Sequence, residues 1–174
     1  MTYTSTITDD QVFQALQAWI MDALGLDINH VIQELGNRVS TPTGGFVCMT
    51  RIAQKRLSTN VRLFTNAFPV ETVTEQQDKD FVIQLDCYGP SASDWMSILT
   101  TAFSSSLGTQ YFAPSGLVPL YHEDPTSAPL VNGEEQYEMR LLTRVHLQYN
   151  PAIVAPMTFL TIPKPTILDI LTKP

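Results

Sequence analysis

Three stretches of the sequence bring reactive residue types together, and each would support a different chemistry. His122-Glu123-Asp124 offers three possible metal ligands in succession. Consecutive loop residues rarely converge on one ion, and neither H-E-x-x-H nor paired C-x-x-C occurs, so this stretch reads as a solvated loop. Gly44-Gly45 could be taken for a phosphate cradle, but it precedes a strand rather than a helix and lacks the usual lysine; it reads as a turn. Cys87, with Asp86 beside it and His146 far along the chain, could be drawn as a nucleophile set. Alternation places Cys87 on the apolar face of its strand and His146 on the wet face of another, which separates them. Asp86, on the face opposite Cys87 and next to Tyr88, reads as a surface or turn acceptor. Cys48 and Cys87 both lie in strand-like apolar contexts and are expected to be buried thiols in a reducing compartment. The residues therefore point to no enzyme, no metal and no cofactor.

The element that organises the chain spans residues 81–108, FVIQLDCYGPSASDWMSILTTAFSSSLG. Phe81, Ile83, Leu85 and Cys87 alternate with Val82, Gln84, Asp86 and Tyr88, the period of a half-buried strand. Gly89-Pro90 stops it, and Ser91 with Asp94 three residues on supplies a helix start. Ala92, Trp95, Met96, Leu99, Ala102, Phe103 and Leu107 then form one apolar stripe over residues 92–107, with Gly108 placed for a left-handed cap. The helix must fold back over its own strand, so this pair is the expected centre of the core.

Upstream, Thr8 or Asp9 can cap a helix over Asp9–Leu24, whose stripe is Val12, Phe13, Leu16, Ile20, Ala23 and Leu24, ended by Gly25. Trp19 falls off the centre of that stripe. Asp27 could cap a second short helix carrying Ile28, Val31, Ile32 and Leu35. Residues 46–64 and 70–88 read as the two arms of a long β-hairpin, and its distal half is polar on both faces, so it cannot bury itself in its own domain. Residues 118–121 give a short strand. Residues 134–149 give a long one, with Tyr137, Met139, Leu141, Thr143, Val145, Leu147 and Tyr149 on one face. Glu138, Arg140, Arg144, His146 and Gln148 occupy its wet face. The last 25 residues carry Pro151, Pro156, Pro163, Pro165 and Pro174, which exclude a helix and disfavour a central strand, yet they are rich in apolar side chains.

These elements sum to the α+β class: a mainly antiparallel β-sheet, a long projecting β-hairpin, two helices packed on one face and an extended C-terminal arm. Residues 1–149 make one domain and 150–174 the arm. At 174 residues and 44% hydrophobic content the chain can bury a sizeable core. Its 17 acidic residues outnumber 10 basic ones, and no run of lysine or arginine occurs, which argues against tight binding to nucleic-acid backbone. The N-terminus lacks a basic region and an apolar core, and no apolar run approaches the ~20 residues that span a bilayer. A soluble, unexported protein with no membrane partner is expected.

The run QLDCYGPSASDW, the loop PLYHEDPTSAPLVNGEEQYEMR, the strand ending HLQYNP and the upstream NRVSTPTGGFVCMT together resemble the phage neck-terminator, or tail-completion, proteins of myovirus-like phages. The resemblance covers roughly residues 37–152. It implies a structural virion protein with a tail-terminator-like fold, forming a homo-oligomeric ring, by the family's pattern a hexamer, at the head–tail junction. Implied partners are a head–tail connector or collar protein and the tail tube or sheath, with DNA passing through without specific binding. On this reading Glu71, Glu75, Asp78 and Asp80 of the hairpin face the lumen or the adjoining ring. Arg51, Lys55, Arg56 and Arg62 are expected to pair with acids of the same hairpin or of a neighbour. Ile153, Phe159, Leu160 and Ile162 of the arm are expected to contact another subunit. The rival reading is a monomeric binding or chaperone module that uses the hairpin edge to grasp a peptide.

Overall fold

The computed structural model describes residues 5–33, 42–65, 72–131 and 137–156. Helix α1 (Asp9–Leu24) opens on Thr8, whose hydroxyl accepts from the Gln11 amide while the Gln11 side chain accepts from the Thr8 amide, and it closes on Gly25 in the left-handed region. Asp27 caps only a 3-10 turn (Ile28–His30), and the chain then enters strand β1 (Val31–Gln33). The second helix expected here is thus a turn and a strand, as suits β-branched Val31 and Ile32.

Strand β2 (Phe46–Arg56) and β3 (Val61–Thr65) form the first arm of the long hairpin, and β4 (Thr72–Gln76) and β5 (Lys79–Tyr88) the second. Helices α2 (Ala92–Phe103) and α3 (Ser106–Phe112) follow, then β6 (Val118–His122), β7 (Thr126–Ser127), β8 (Leu130–Val131), β9 (Tyr137–Glu138), β10 (Arg140–Tyr149) and β11 (Ala152–Pro156). The main sheet has the order β1-β2-β5-β10-β6, with β7 also on β10; β1 pairs with β2 in parallel and the other pairs are antiparallel. Strands β11-β4-β3 make a separate three-stranded sheet, and β8 pairs with β9.

One face of the main sheet, bearing Val47, Met49, Phe81, Ile83, Leu85, Cys87, Val145, Leu147 and Tyr149, packs with α1 and α2 into a single core. Burying each of its large side chains contributes roughly 1.5–3 kcal/mol. Trp19, expected off the α1 stripe, is buried against Phe103 and Phe112 at ring distances of 5.8 and 5.5 Å. Trp95 is only half-buried and lies at the edge of the core, close over Gly45, where an added Cβ would meet its ring at 2.6 Å.

Two expectations about the second helix are corrected. Ser91 makes no side-chain cap bond. The stripe does not run on to a cap at Gly108: α2 ends at Phe103, and Gly108 lies inside α3, where a Cβ would sit 2.7 Å from the carbonyl oxygens of Ala102 and Phe103. The glycine is there for close approach of one helix to the end of another, which leaves Leu107 exposed.

Candidate assembly interface

The candidate reactive groups are settled by where the strands put them. Cys87 lies on the core face, and burial, helped by the Asp86 charge, pushes its thiol up to about 12, so it is no nucleophile at neutral pH. Its partner on β10 is Leu141, five positions from His146, a separation of roughly 16 Å, and His146 lies on the other face of the sheet. In the 122–124 loop, the Glu123 amide donates to Arg144 O at 2.8 Å, and Glu123 O accepts from Thr143 Oγ1 at 2.6 Å. Those bonds fasten the loop to β10. Among the described residues no cluster of His, Cys, Asp and Glu could hold a metal ion, and no helix is long and apolar enough to cross a membrane.

The face of the main sheet away from the helices holds a row of polar contacts that alternation alone had assigned to solvent. Asp86 is buried, and it accepts from Arg140 Nε at 3.0 Å and from Nη2 at 2.9 Å. The Arg140 guanidinium also lies 5.5 Å over the ring of Tyr88, which stacks on Phe46 at 4.4 Å. Farther along, His146 is 2% exposed: its Nδ1 meets Asp80 Oδ2 at 2.8 Å, and Tyr121 stacks on its ring at 4.1 Å. Asp86 and His146 are thus not wet, and Asp80 is not an acid of the projecting hairpin. The physical reason is that β5 and β10 are interior strands, so large neighbours on both sides shield even the uncovered face. The even-numbered residues of β5 carried the signal, since Val82 and Tyr88 are too apolar for a solvent face.

The three-stranded sheet is the other unusual surface. The register of β2 on β5 shifts around Ile52, and the hairpin leaves the main sheet beyond the Arg56–Lys79 pair, where Gln77 N donates to Pro151 O at 3.1 Å and Ser58 Oγ donates to Asp78 at 3.0 Å. These contacts turn the distal strands into a sheet of their own. Arg62, Glu75 and Ile153 stand in one cross-strand row, with Arg62 Nε donating to Glu75 at 2.5 Å. Phe64, Val73 and Ala155 form the next row on that face; Leu63, Thr74 and Val154 lie on the opposite face. Leu63, Phe64 and Val154 are 52%, 56% and 50% exposed, and Val61 and Ile153 are also open to solvent. β11 therefore starts the arm as an edge strand on its own chain, held further by Thr6, whose hydroxyl accepts from the Ala152 amide at 3.0 Å.

Of the nine residues assigned to an interface from sequence, the structure gathers Arg62, Glu75 and Ile153 on this sheet and sets Asp78 at its base, where Asp78 O accepts from the Leu57 amide at 2.9 Å. Asp80 belongs to the buried pair with His146. Glu71, Phe159, Leu160 and Ile162 lie outside the described residues. Arg62 finds its acid within the hairpin as expected, but Arg51 pairs with Asp9 of α1 at 2.5 Å, an acid neither of the hairpin nor of a neighbour. Sequence reasoning missed Leu63 and Phe64, although VRLF in β3 is largely apolar.

This three-stranded sheet exposes apolar side chains on both faces, and the family model of the phage neck terminator protein matches residues 10–171. The chain belongs to that family. It is a structural protein of the virion neck, not an enzyme. Among solved structures, a chain of the "Virion of native gene transfer agent (GTA) particle" is similar at 14% identity, covering 78% of this chain and 96% of that one, with a TM-score of 0.32. No curated protein matches the chain.

Proposed function

We propose that this neck terminator closes into a ring, a hexamer on the family's pattern, at the head–tail junction. In that place it ends the tail, joins it to a head connector or collar protein on one side and to tube or sheath proteins on the other, and lets DNA pass. The observation that carries the reading is the three-stranded sheet. It exposes Leu63 and Val154 on one face and Phe64 and Ile153 on the other, and a free subunit leaves such a sheet without a role. Arg62, Glu75, Asp78, Glu71 and the arm from residue 150 onward belong to the same contact region.

Passage of DNA asks for a wall that does not hold phosphate, since affinity climbs steeply with each lysine or arginine presented. A chain with net charge −7, whose longest basic run is the pair Lys55-Arg56, suits that wall. Light scattering on the purified protein, followed by cryo-electron microscopy of the particle neck, tests the proposal: a closed ring around the channel is expected. A strictly monomeric protein that binds a peptide along the hairpin edge would favour the rival binding-module reading. Measurable double-stranded DNA binding at physiological salt would remove the account of the channel wall.

A further inference from the structure

We infer that residues 157–162 of one copy add as a fourth strand to the open edge of β3 in the next copy. The inference rests on the ring reading above and deepens it by naming the contact. Among the described residues strand β3 is the terminal strand of its sheet, bonded on one side to β4 only, and all five of its residues are exposed. Soluble proteins usually blunt such an edge with lysine, proline or a covering loop. VRLFT has neither lysine nor proline, and its single charge, Arg62, is spent on Glu75 inside the sheet. An edge of this kind is a template for an added strand, which would gain main-chain hydrogen bonds along β3 and apolar contact with Leu63 on one face and Phe64 on the other.

The strand that fits is set by where the described chain stops. Strands β3 and β11 both run antiparallel to β4, so they are parallel to each other, and Pro156 leaves the sheet at the Thr72 and Thr65 end. The next six residues, MTFLTI, alternate Met157, Phe159 and Thr161 with Thr158, Leu160 and Ile162, and they hold no glycine, proline, asparagine or aspartate. To reach the open edge of β3 in its own chain, this segment would have to cross β4 and β3, three strand spacings or roughly 14 Å, and reverse direction. It lacks the residues that make a reversal. Continued in extended form, it reaches about 20 Å beyond its own sheet, far enough to pair along a five-residue edge of another copy. Pro163 and Pro165 then end the run that can pair.

Cysteine pairing in the full-length chain tests the contact. Copies with Leu63→Cys or Phe64→Cys are mixed with differently tagged copies bearing Phe159→Cys or Leu160→Cys, so that both faces of each strand are sampled. Cross-links between the two tags are expected in at least one pairing, and a ladder of covalent oligomers when both cysteines are in one chain. A protein that light scattering shows to be a ring, yet that gives no cross-link between copies in any pairing, overturns this contact and leaves the ring reading intact. A protein that stays monomeric at every concentration, cross-linked within the chain or not, overturns both. Independently, Leu160→Pro with Thr161→Pro removes whichever amide faces β3. It should leave the thermal melt unchanged and weaken self-association at least tenfold; unchanged association overturns the contact.

Discussion

The two sheets of this neck terminator are built from the same pair of strand arms and differ in what lies over them. In the main sheet, Phe81, Ile83 and Leu85 of β5 are sealed beneath α1 and α2. In the distal sheet, Val61, Leu63 and Phe64 of β3 have similar side chains but are exposed, with no helix over them among the described residues. Apolar content in a strand therefore does not by itself mark a core. What decides is whether the chain supplies a cover, and both long helices are already committed to the main sheet. The main sheet should govern whether the protein folds, and the distal sheet whether it assembles.

The largest expected effect breaks the covered side of this comparison. Phe103 is 1% exposed and sits at the meeting of α2, Trp19 and Phe112. Phe103→Ala should cost about 3–5 kcal/mol, read as a fall in the urea midpoint. Trp95→Ala should cost less, because its ring is only half-buried. Leu63→Ser on the open sheet should move the midpoint by no more than about 0.5 kcal/mol while it weakens self-association. If Leu63→Ser proved as destabilising as Phe103→Ala, β3 would belong to the folding core and the division between the sheets would be lost.

Alkaline pH probes the same core from the side of charge. Burial, and secondarily the Asp86 charge, pushes the Cys87 thiol from 9.0 to about 12, so the folded state holds it neutral where the unfolded chain would ionise it. Tyr149, whose hydroxyl is pushed up to about 12 by burial and by Asp9, acts in the same sense. Both contributions are complete below the ordinary values and are lost as pH rises through the folded ones. Stability should therefore decline from about pH 9 toward pH 12, and Cys87→Ala should flatten that decline. An unaltered slope in the variant would show that the thiol does not drive it.

Much of this architecture was legible in the sequence because periodicity reports burial directly. Residues 81–88 and 140–149 alternate as strands do, and α1 carries its stripe between a capping box and a left-handed glycine. Where the reading failed, a neighbour distant in sequence decided the outcome. Gly108 looked like a helix end because a glycine cap and a glycine of close approach have the same letter. His146 and Asp86 looked wet because alternation assumes one solvated face, whereas interior strands shield both. The interface residues were legible only in part, since a polar hairpin drew attention to its charges while the exposed Leu63 and Phe64 looked like ordinary strand residues.

Smaller effects come from the packing and caps of the helices that distinguish the covered sheet. Gly108→Ala forces a Cβ to 2.7 Å from two carbonyl oxygens at the α2 end and should cost roughly 1–3 kcal/mol, measured by chemical unfolding. A neutral result would mean that α3 can slide away from α2 without loss. The caps then rank themselves by the bonds they make. Thr8 accepts from the Gln11 amide at 3.3 Å and Ser105 Oγ accepts from the Leu107 amide at 3.1 Å, so Thr8→Ala and Ser105→Ala should each cost about 0.5–2 kcal/mol. Ser91 stands at the same kind of position before α2, yet its side chain makes no cap bond, and Ser91→Ala should leave the unfolding midpoint where it is. The α2 N-terminus is held instead by backbone: the Ala92 amide donates to Gly89 O at 3.1 Å and the Trp95 amide to Ser91 O at 3.0 Å. A loss in Ser91→Ala equal to that in Thr8→Ala would mean that the hydroxyl caps the helix in solution, and that the turn after β5 is held by side chains as α1 is.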